Sequence, residues 1–135
     1  MTSTVPTILL IGTADTKSAE LLFMRECIEA GGGRAVVMDV GVLDGAPFVP
    51  EITHVEVAAA AGKTVAEVAA SGDENTAMTL MAHGAAKLAA RWQAEGRIDG
   101  MLALGGTMGT DLALDVAQAL PLGVPKVLVS TIAYS

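Results

Sequence analysis

The sequence predicts an α/β protein: a Rossmann-like parallel sheet of about four strands with helices on both faces. Three observations carry that expectation. Short apolar runs alternate with stretches of helical periodicity along the chain. The runs are apolar at consecutive positions, the pattern of strands buried on both faces and therefore of parallel sheets. Each run ends in small or polar residues, and the fifteen glycines follow no period, which suggests tight turns after strands. Repeated strand–helix units of this kind call for right-handed crossovers.

Taken in order, the run from Thr7 to Gly12 is β-branched and Leu-rich and stops at glycine, so it reads as a buried strand. From Thr16 to Ala30, Leu21, Leu22, Met24 and Ile28 recur at helical spacing, and Gly31, Gly32 and Gly33 end the helix. Arg34 to Val40 is a second buried strand closed by Gly41. Val42 to Thr53, with Pro47 and Pro50, is irregular. Val55 to Ala61 is a short Ala-rich helix ended by Gly62. Thr64 and Glu67 form a Thr-x-x-Glu capping box that starts the next one. Asp73 is a suitable N-cap for a long helix reaching about Glu95, with Met78, Met81, Ala85, Leu88 and Trp92 on its buried face. Ile98 to Leu104 is a third strand broken by Gly105 and Gly106. Thr110 to Leu120 is helical, Pro121 stops it, and Lys126 to Ser130 is the fourth strand.

Composition narrows the class of protein. The chain has 135 residues, 52% apolar and 17% charged, enough to bury a core and far from disorder. Aromatics are only 3%, so Ala, Val, Leu, Ile and Met must build that core. Eight basic against fifteen acidic residues give a net charge of −7, which argues against nucleic acid and anionic membrane as partners. One cysteine, Cys27, rules out an internal disulfide framework and a Cys-based zinc site. The default for that thiol is burial or half-burial on the first helix. No signal peptide or membrane-spanning run is evident, so the expected location is cytoplasmic. No linker or internal repeat divides residues 1–135, which read as one domain. The lack of a helix after the fourth strand suggests the front part of something larger.

Ligands of doubly wound sheets sit at the carboxyl ends of the strands. The first such end is Gly12-Thr-Ala-Asp-Thr-Lys-Ser18. It superficially resembles a Walker A loop, but it lacks the glycine before the lysine and is one residue short. Gly12, Thr13, Asp15, Thr16 and Lys17 still offer a turn, hydroxyls and a cation where a helix opens, a setting that favours an anion. A cap at Asp15 or Thr16 with a solvated Lys17 is the equal alternative. The third strand runs into Gly105, Gly106, Thr107, Gly109 and Thr110, more glycine than a turn requires, and successive N–H groups there form an anion nest. Asp39 and Gly41 end the second strand, where an acid either holds a ribose or accepts loop N–H bonds. Ser130 and Thr131 bring hydroxyls to the tip of the fourth. Gly62-Lys63-Thr64 matches the tail of a Walker A motif but lies between helices, so it reads as a helix end and a cap. His54 has no partner at metal spacing, and no metal ligands are assigned. His83, Lys87 and Arg91 form a solvated stripe on the long helix.

Five segments together resemble one family: Ile11-Gly-Thr-Ala-Asp-Thr-Lys17, Val37-Met-Asp-Val-Gly41, Val57-Ala-Ala-Ala-Ala-Gly62, Asp99-Gly-Met-Leu-Ala-Leu-Gly-Gly-Thr-Met-Gly-Thr110, and Leu120-Pro-Leu-Gly-Val-Pro-Lys-Val-Leu-Val-Ser-Thr131. They look like the N-terminal, so-called ATP-binding domain of the uncharacterised bacterial and plant family that includes the tomato mosaic virus resistance protein. The likeness covers nearly the whole chain in the right order. It implies a nucleotide-binding α/β domain followed by a barrel-like domain of phosphoenolpyruvate-hydrolase type. By the same resemblance Gly12, Thr13, Asp15, Thr16 and Lys17 would surround the nucleotide. Gly105, Gly106, Thr107, Gly109 and Thr110 would hold its phosphates, with Ser130 and Thr131 beside them. The chain departs from the family pattern in two places: Asp73-Glu-Asn75 stands for Asp-Arg-Gly, and Ser130-Thr-Ile-Ala-Tyr-Ser135 for Ser-Thr-x-Ala-Ser-Gly.

The functional expectation is therefore a nucleotide-binding domain whose ligand is ATP, with or without Mg²⁺. Enzyme activity is left open, because Asp15 and Lys17 are the only candidates for hydrolytic chemistry. One rival is a non-catalytic assembly module supporting a barrel-like domain on a separate chain. Another is the phosphate-binding part of an enzyme whose catalytic groups lie elsewhere. A homo-oligomer, most simply a dimer, is expected if apolar helical residues such as Val65, Val68 and Ala69 lack an intramolecular cover.

Overall fold

The computed structural model describes residues 5–43 and 46–131. Its elements are β1 (Thr7–Gly12), α1 (Ser18–Ala30), β2 (Arg34–Asp39), α2 (His54–Ala60), α3 (Val65–Ala69), α4 (Glu74–Ala94), β3 (Gly100–Gly105), α5 (Thr107–Ala119) and β4 (Lys126–Ser130). The strands form one sheet in the order β2-β1-β3-β4, and every pair is parallel. The chain leaves β1 toward β2 on one side and returns past β1 to β3 on the other. The point where the order reverses therefore lies between β1 and β3.

Side chains alternate between the faces of each strand. Leu10, Val37 and Leu102 point to α1, where Leu21, Met24 and Ile28 meet them. Leu9, Ile11, Val36, Met38, Met101 and Ala103 point the other way, into the larger core closed by residues of α2, α3, α4 and α5. The sequence accounts for the helix starts on this larger side. Thr53 and Thr64 each accept the N–H of the residue three positions on, while Glu56 and Glu67 reach back to complete capping boxes. Asp73 accepts the Thr76 N–H at 2.7 Å and opens α4. Within α4, Gly84 lies against α2, and a Cβ there would run into the Val57 carbonyl oxygen. Gly84 thus fixes how closely the two helices approach.

Several details differ from expectation. Helix α1 begins at Ser18 rather than Thr16, because Thr13 to Lys17 is a turn with Lys17 N–H on the Thr13 carbonyl at 2.8 Å. Helix α5 begins at Thr107 rather than Thr110, and β3 begins at Gly100 rather than Ile98. The 42–53 stretch is largely irregular as expected. Ile52 nevertheless bridges to Met38 in parallel, and Glu51 accepts the Val37 N–H while pairing with Arg25. Cys27 is exposed, since it falls on the solvent side of α1 between Met24 and Ile28. Val68 is fully buried and Val65 packs on the core, because α3 folds back against α4. Of the three residues named as candidates for a second copy's cover, Val65 and Val68 are therefore covered within the chain, while Ala69 stays exposed. His83, Lys87 and Arg91 are all exposed, and Gly62, with φ of +78°, follows the end of α2 as a cap would. The final turn that departs from the family pattern, residues 132–135, lies outside the described residues.

Candidate functional site

A crevice of about 780 Å³ opens at the carboxyl ends of β2, β1 and β3. That size suits a small ligand or cofactor. Its walls bring together ten of the fourteen residues singled out in the sequence. Gly12, Thr13, Asp15, Thr16 and Lys17 come from the β1–α1 turn, and Gly41 follows β2. Gly105, Gly106, Thr107 and Gly109 come from the β3–α5 turn. The parallel sheet explains the convergence, because all strands deliver their following loops to one edge.

The other four residues, Asp39, Thr110, Ser130 and Thr131, do not line the crevice. Asp39 is almost fully buried, and one of its oxygens accepts the N–H groups of Ala14 and Gly41, both at 2.9 Å. It ties the β1 loop to the β2 loop and does not line the crevice. Its carboxyl is raised above the ordinary carboxylate value of 3.8 by burial, against those two hydrogen bonds and His54, with Asp15 adding a smaller upward push. Thr110 turns its hydroxyl back onto the Gly106 carbonyl and meets the Ser130 hydroxyl at 2.8 Å. The Thr131 N–H reaches the Gly105 carbonyl at 3.2 Å. The two hydroxyls and the Thr131 N–H stitch β4 to the glycine turn of β3.

The two glycines of that turn differ. A Cβ on Gly105 would sit 2.5 Å from the Gly109 carbonyl carbon and 2.6 Å from the Thr110 nitrogen, so glycine is what lets α5 start this close to β3. A Cβ on Gly106 would meet only Thr131 Oγ1, at 3.8 Å. Gly106 itself lines the crevice, so its position tolerates a methyl where Gly105 does not. Gly41 is a third close approach, where a Cβ would collide with the Asp15 carboxylate.

Helix termini give the site its polarity. The first N–H groups of a helix have no intrahelical acceptor. In α2, α3 and α4 a Thr or Asp side chain takes one of them. In α1 and α5, which start at the crevice, no cap side chain does. At α5 the Thr110 N–H bonds to the Gly106 carbonyl, and the N–H groups that precede it in the first turn belong to the stretch that opens at the crevice. Lys17 stands at the start of α1 as the crevice's basic side chain. Asp15, Asp73 and Glu74 line the crevice as well. One Asp15 oxygen is buried without a hydrogen-bond partner.

Sequence reasoning missed one wall. Ala69, Gly72, Asp73, Glu74, Ala77 and Met78, from the end of α3 and the start of α4, form a further wall of the crevice. The Asp73-Glu-Asn75 departure from the family pattern was the available signal, since it falls on this wall. Val40, Val42 and Leu43 extend the wall at the β2 end and, with Met78, make it apolar. His54 was set aside in the sequence, yet its ring nitrogen Nδ1 lies 2.9 Å from the Gly41 carbonyl and braces that loop. Among the described residues no group of three or more His, Cys, Asp or Glu is placed to hold a metal ion. Among the same residues no helix is long and apolar enough to cross a membrane.

A four-stranded parallel α/β domain with a glycine-lined crevice at its carboxyl edge is the class of protein that fold and site define. Residues 6–135 match the uncharacterised protein family UPF0261, N-terminal domain, and the chain belongs to that family. It is 57% identical over 130 residues to a UPF0261 protein of Brucella suis, covering 96% of this chain and 31% of that one. A UPF0261 protein of Clostridium tetani is 39% identical over 126 residues, again 31% of its length. The tomato ToMV susceptible protein tm-1(GCR26) is 27% identical over 146 residues, 19% of its length. The chain thus spans less than a third of the curated relatives it matches.

Proposed function

We propose that the crevice binds a nucleotide, with ATP as the ligand, its phosphates toward the β1 and β3 turns and its base against Val42, Leu43 and Met78. One observation carries this reading: both helices left uncapped by their own side chains begin at the crevice, one of them beside Lys17. Free N–H groups and helix dipoles converging with a lysine favour an anion. The acidic net charge does not oppose this, because the local field governs phosphate binding. The apolar β2 end gives a planar base a surface to lie on, which a bare anion would not use.

Mg²⁺ enters this reading as a companion of the phosphates. It commonly takes one or two carboxylates together with phosphate oxygens and water. Asp15 and Glu74, which both line the crevice, are carboxylates of that kind. The reading is one of binding, and it is compatible with the alternative of a phosphate-holding part of a larger enzyme. The cytoplasm is the compartment consistent with a nucleotide ligand.

The test is a set of calorimetric titrations with ATP, ADP, AMP, NAD and inorganic tripolyphosphate, each with and without Mg²⁺. The expected order places ATP above both AMP and tripolyphosphate, since each of those lacks one end of the ligand. No heat and no thermal stabilisation with any of the five would refute the reading and favour the assembly module.

A further inference from the structure

The two faces of the sheet are covered unequally. Four helices lie on one face, whereas α1 alone lies on the other and packs over β1 and β2. A helix is about 10 Å across and strands are about 4.8 Å apart, so one helix roofs about two strands. The β3–β4 half of the α1 face has no roof among the described residues. Register puts Val127 beside Leu102 and Val129 beside Leu104 on that face. Val127 is 55% exposed and Val129 41% exposed, although both sit in a strand. Phe23, on the flank of α1, is 66% exposed. Together Phe23, Met24, Leu104 and Val129 line a groove of about 420 Å³, almost wholly apolar, with Glu20 at its edge.

We propose that this groove seats a second helix, laid beside α1 with its apolar face on β3 and β4, and supplied by the polypeptide that the longer relatives carry beyond this region. Three observations select that occupant. Parallel sheets occur almost only with helices on both faces, and the uncovered strip is one helix wide. The matched region is an N-terminal domain and makes up only 31% of the Brucella suis relative, so a large amount of chain is available to supply the helix. A second copy is a poorer fit, because a two-fold contact sets the same patch against itself, and a groove facing a groove leaves a void.

The experiment uses single cysteines in a Cys27→Ser background and reads their rate of reaction with a soluble thiol reagent. Val129→Cys reports the groove, and Lys87→Cys, on the exposed side of α4, reports general accessibility. In the 135-residue chain both sites should react fast, at rates independent of protein concentration. In the same chain continued at Ser135 by the polypeptide that follows the matched region of the Brucella suis relative, position 129 should slow at least about tenfold, the scale of local protection, while position 87 stays fast. Protection at 129 that grows with concentration in the short chain would overturn the proposal and give the face to a second copy. Equal rates at 129 in the two proteins would overturn it as well. Neither readout depends on nucleotide, so the proposal can fail while the crevice still binds ATP.

Discussion

Lys17 and the two adjacent glycines of the β3 turn separate binding from folding at single residues. Lys17 is the crevice's basic side chain, so Lys17→Ala should weaken ATP by about 1.5–3 kcal/mol, the range for hydrogen bonds to charged groups. Calorimetry on a variant with an unchanged melting midpoint checks this, and undiminished affinity would make Lys17 an ordinary surface residue. Gly106→Ala should leave the midpoint without ligand near normal, because the added methyl meets nothing closer than 3.8 Å. It should abolish the rise in midpoint caused by ATP, since that methyl would occupy the space offered to phosphate. Gly105→Ala should do the opposite first: with backbone only 2.5 Å from the new Cβ, it destabilises the protein whether or not ATP is present. A Gly106→Ala protein that melts early yet still responds to ATP would assign both glycines to folding alone.

Asp39 shows what the elements ask of a buried carboxylate at a strand end. It holds the β1 and β2 loops through two N–H groups, and burial raises its pKa above the ordinary 3.8. The native state therefore holds this proton more tightly than the unfolded state. Its contribution to stability is present below 3.8 and is lost as pH rises through the higher folded value. Asp39→Asn keeps an oxygen for both donors and removes the charge, so it should flatten that slope without loss at neutral pH. Asp39→Ala leaves two buried donors unpaired and should cost about 1–3 kcal/mol for each. Denaturant melts across the acid range distinguish the two. The capping boxes give a second check, because Thr64→Ala removes the side chain that holds the Glu67 N–H and should cost about 1 kcal/mol.

At the scale of the whole molecule, burial grades the sheet from its centre outward. β1 and β3 lie between other strands, whereas β4 is an edge strand with both valines exposed on one face. Amide exchange should be slowest in β1 and β3 and fastest in β4, because unprotected edges open at low cost. Met81 is fully buried where α4 meets the larger core, so Met81→Ala should cost about 2–5 kcal/mol. A β4 as protected as β1 in the isolated chain would mean that something already covers it.

The sequence by itself determined the class of fold, the order of the nine elements and the Thr64-x-x-Glu67 cap, whereas the second such cap, Thr53 with Glu56, came to light only in the structure. Each depends on neighbours a few residues apart: consecutive apolar positions in Thr7 to Gly12, or the three-residue reach of Thr64 to Glu67. It also marked the β1 and β3 turns, because glycine and hydroxyl runs after a strand are a local signal. Strand order, and hence the meeting of Lys17, Gly41 and Thr107 at one crevice, was decided by tertiary structure through contacts between distant segments. The same holds for the α3–α4 wall, for Val68 being covered by α4, and for His54 bracing Gly41 from across a loop. Asp39 illustrates the boundary. Its place at a strand end was legible, but two N–H groups arriving from separate loops decided that its bonded oxygen faces inward.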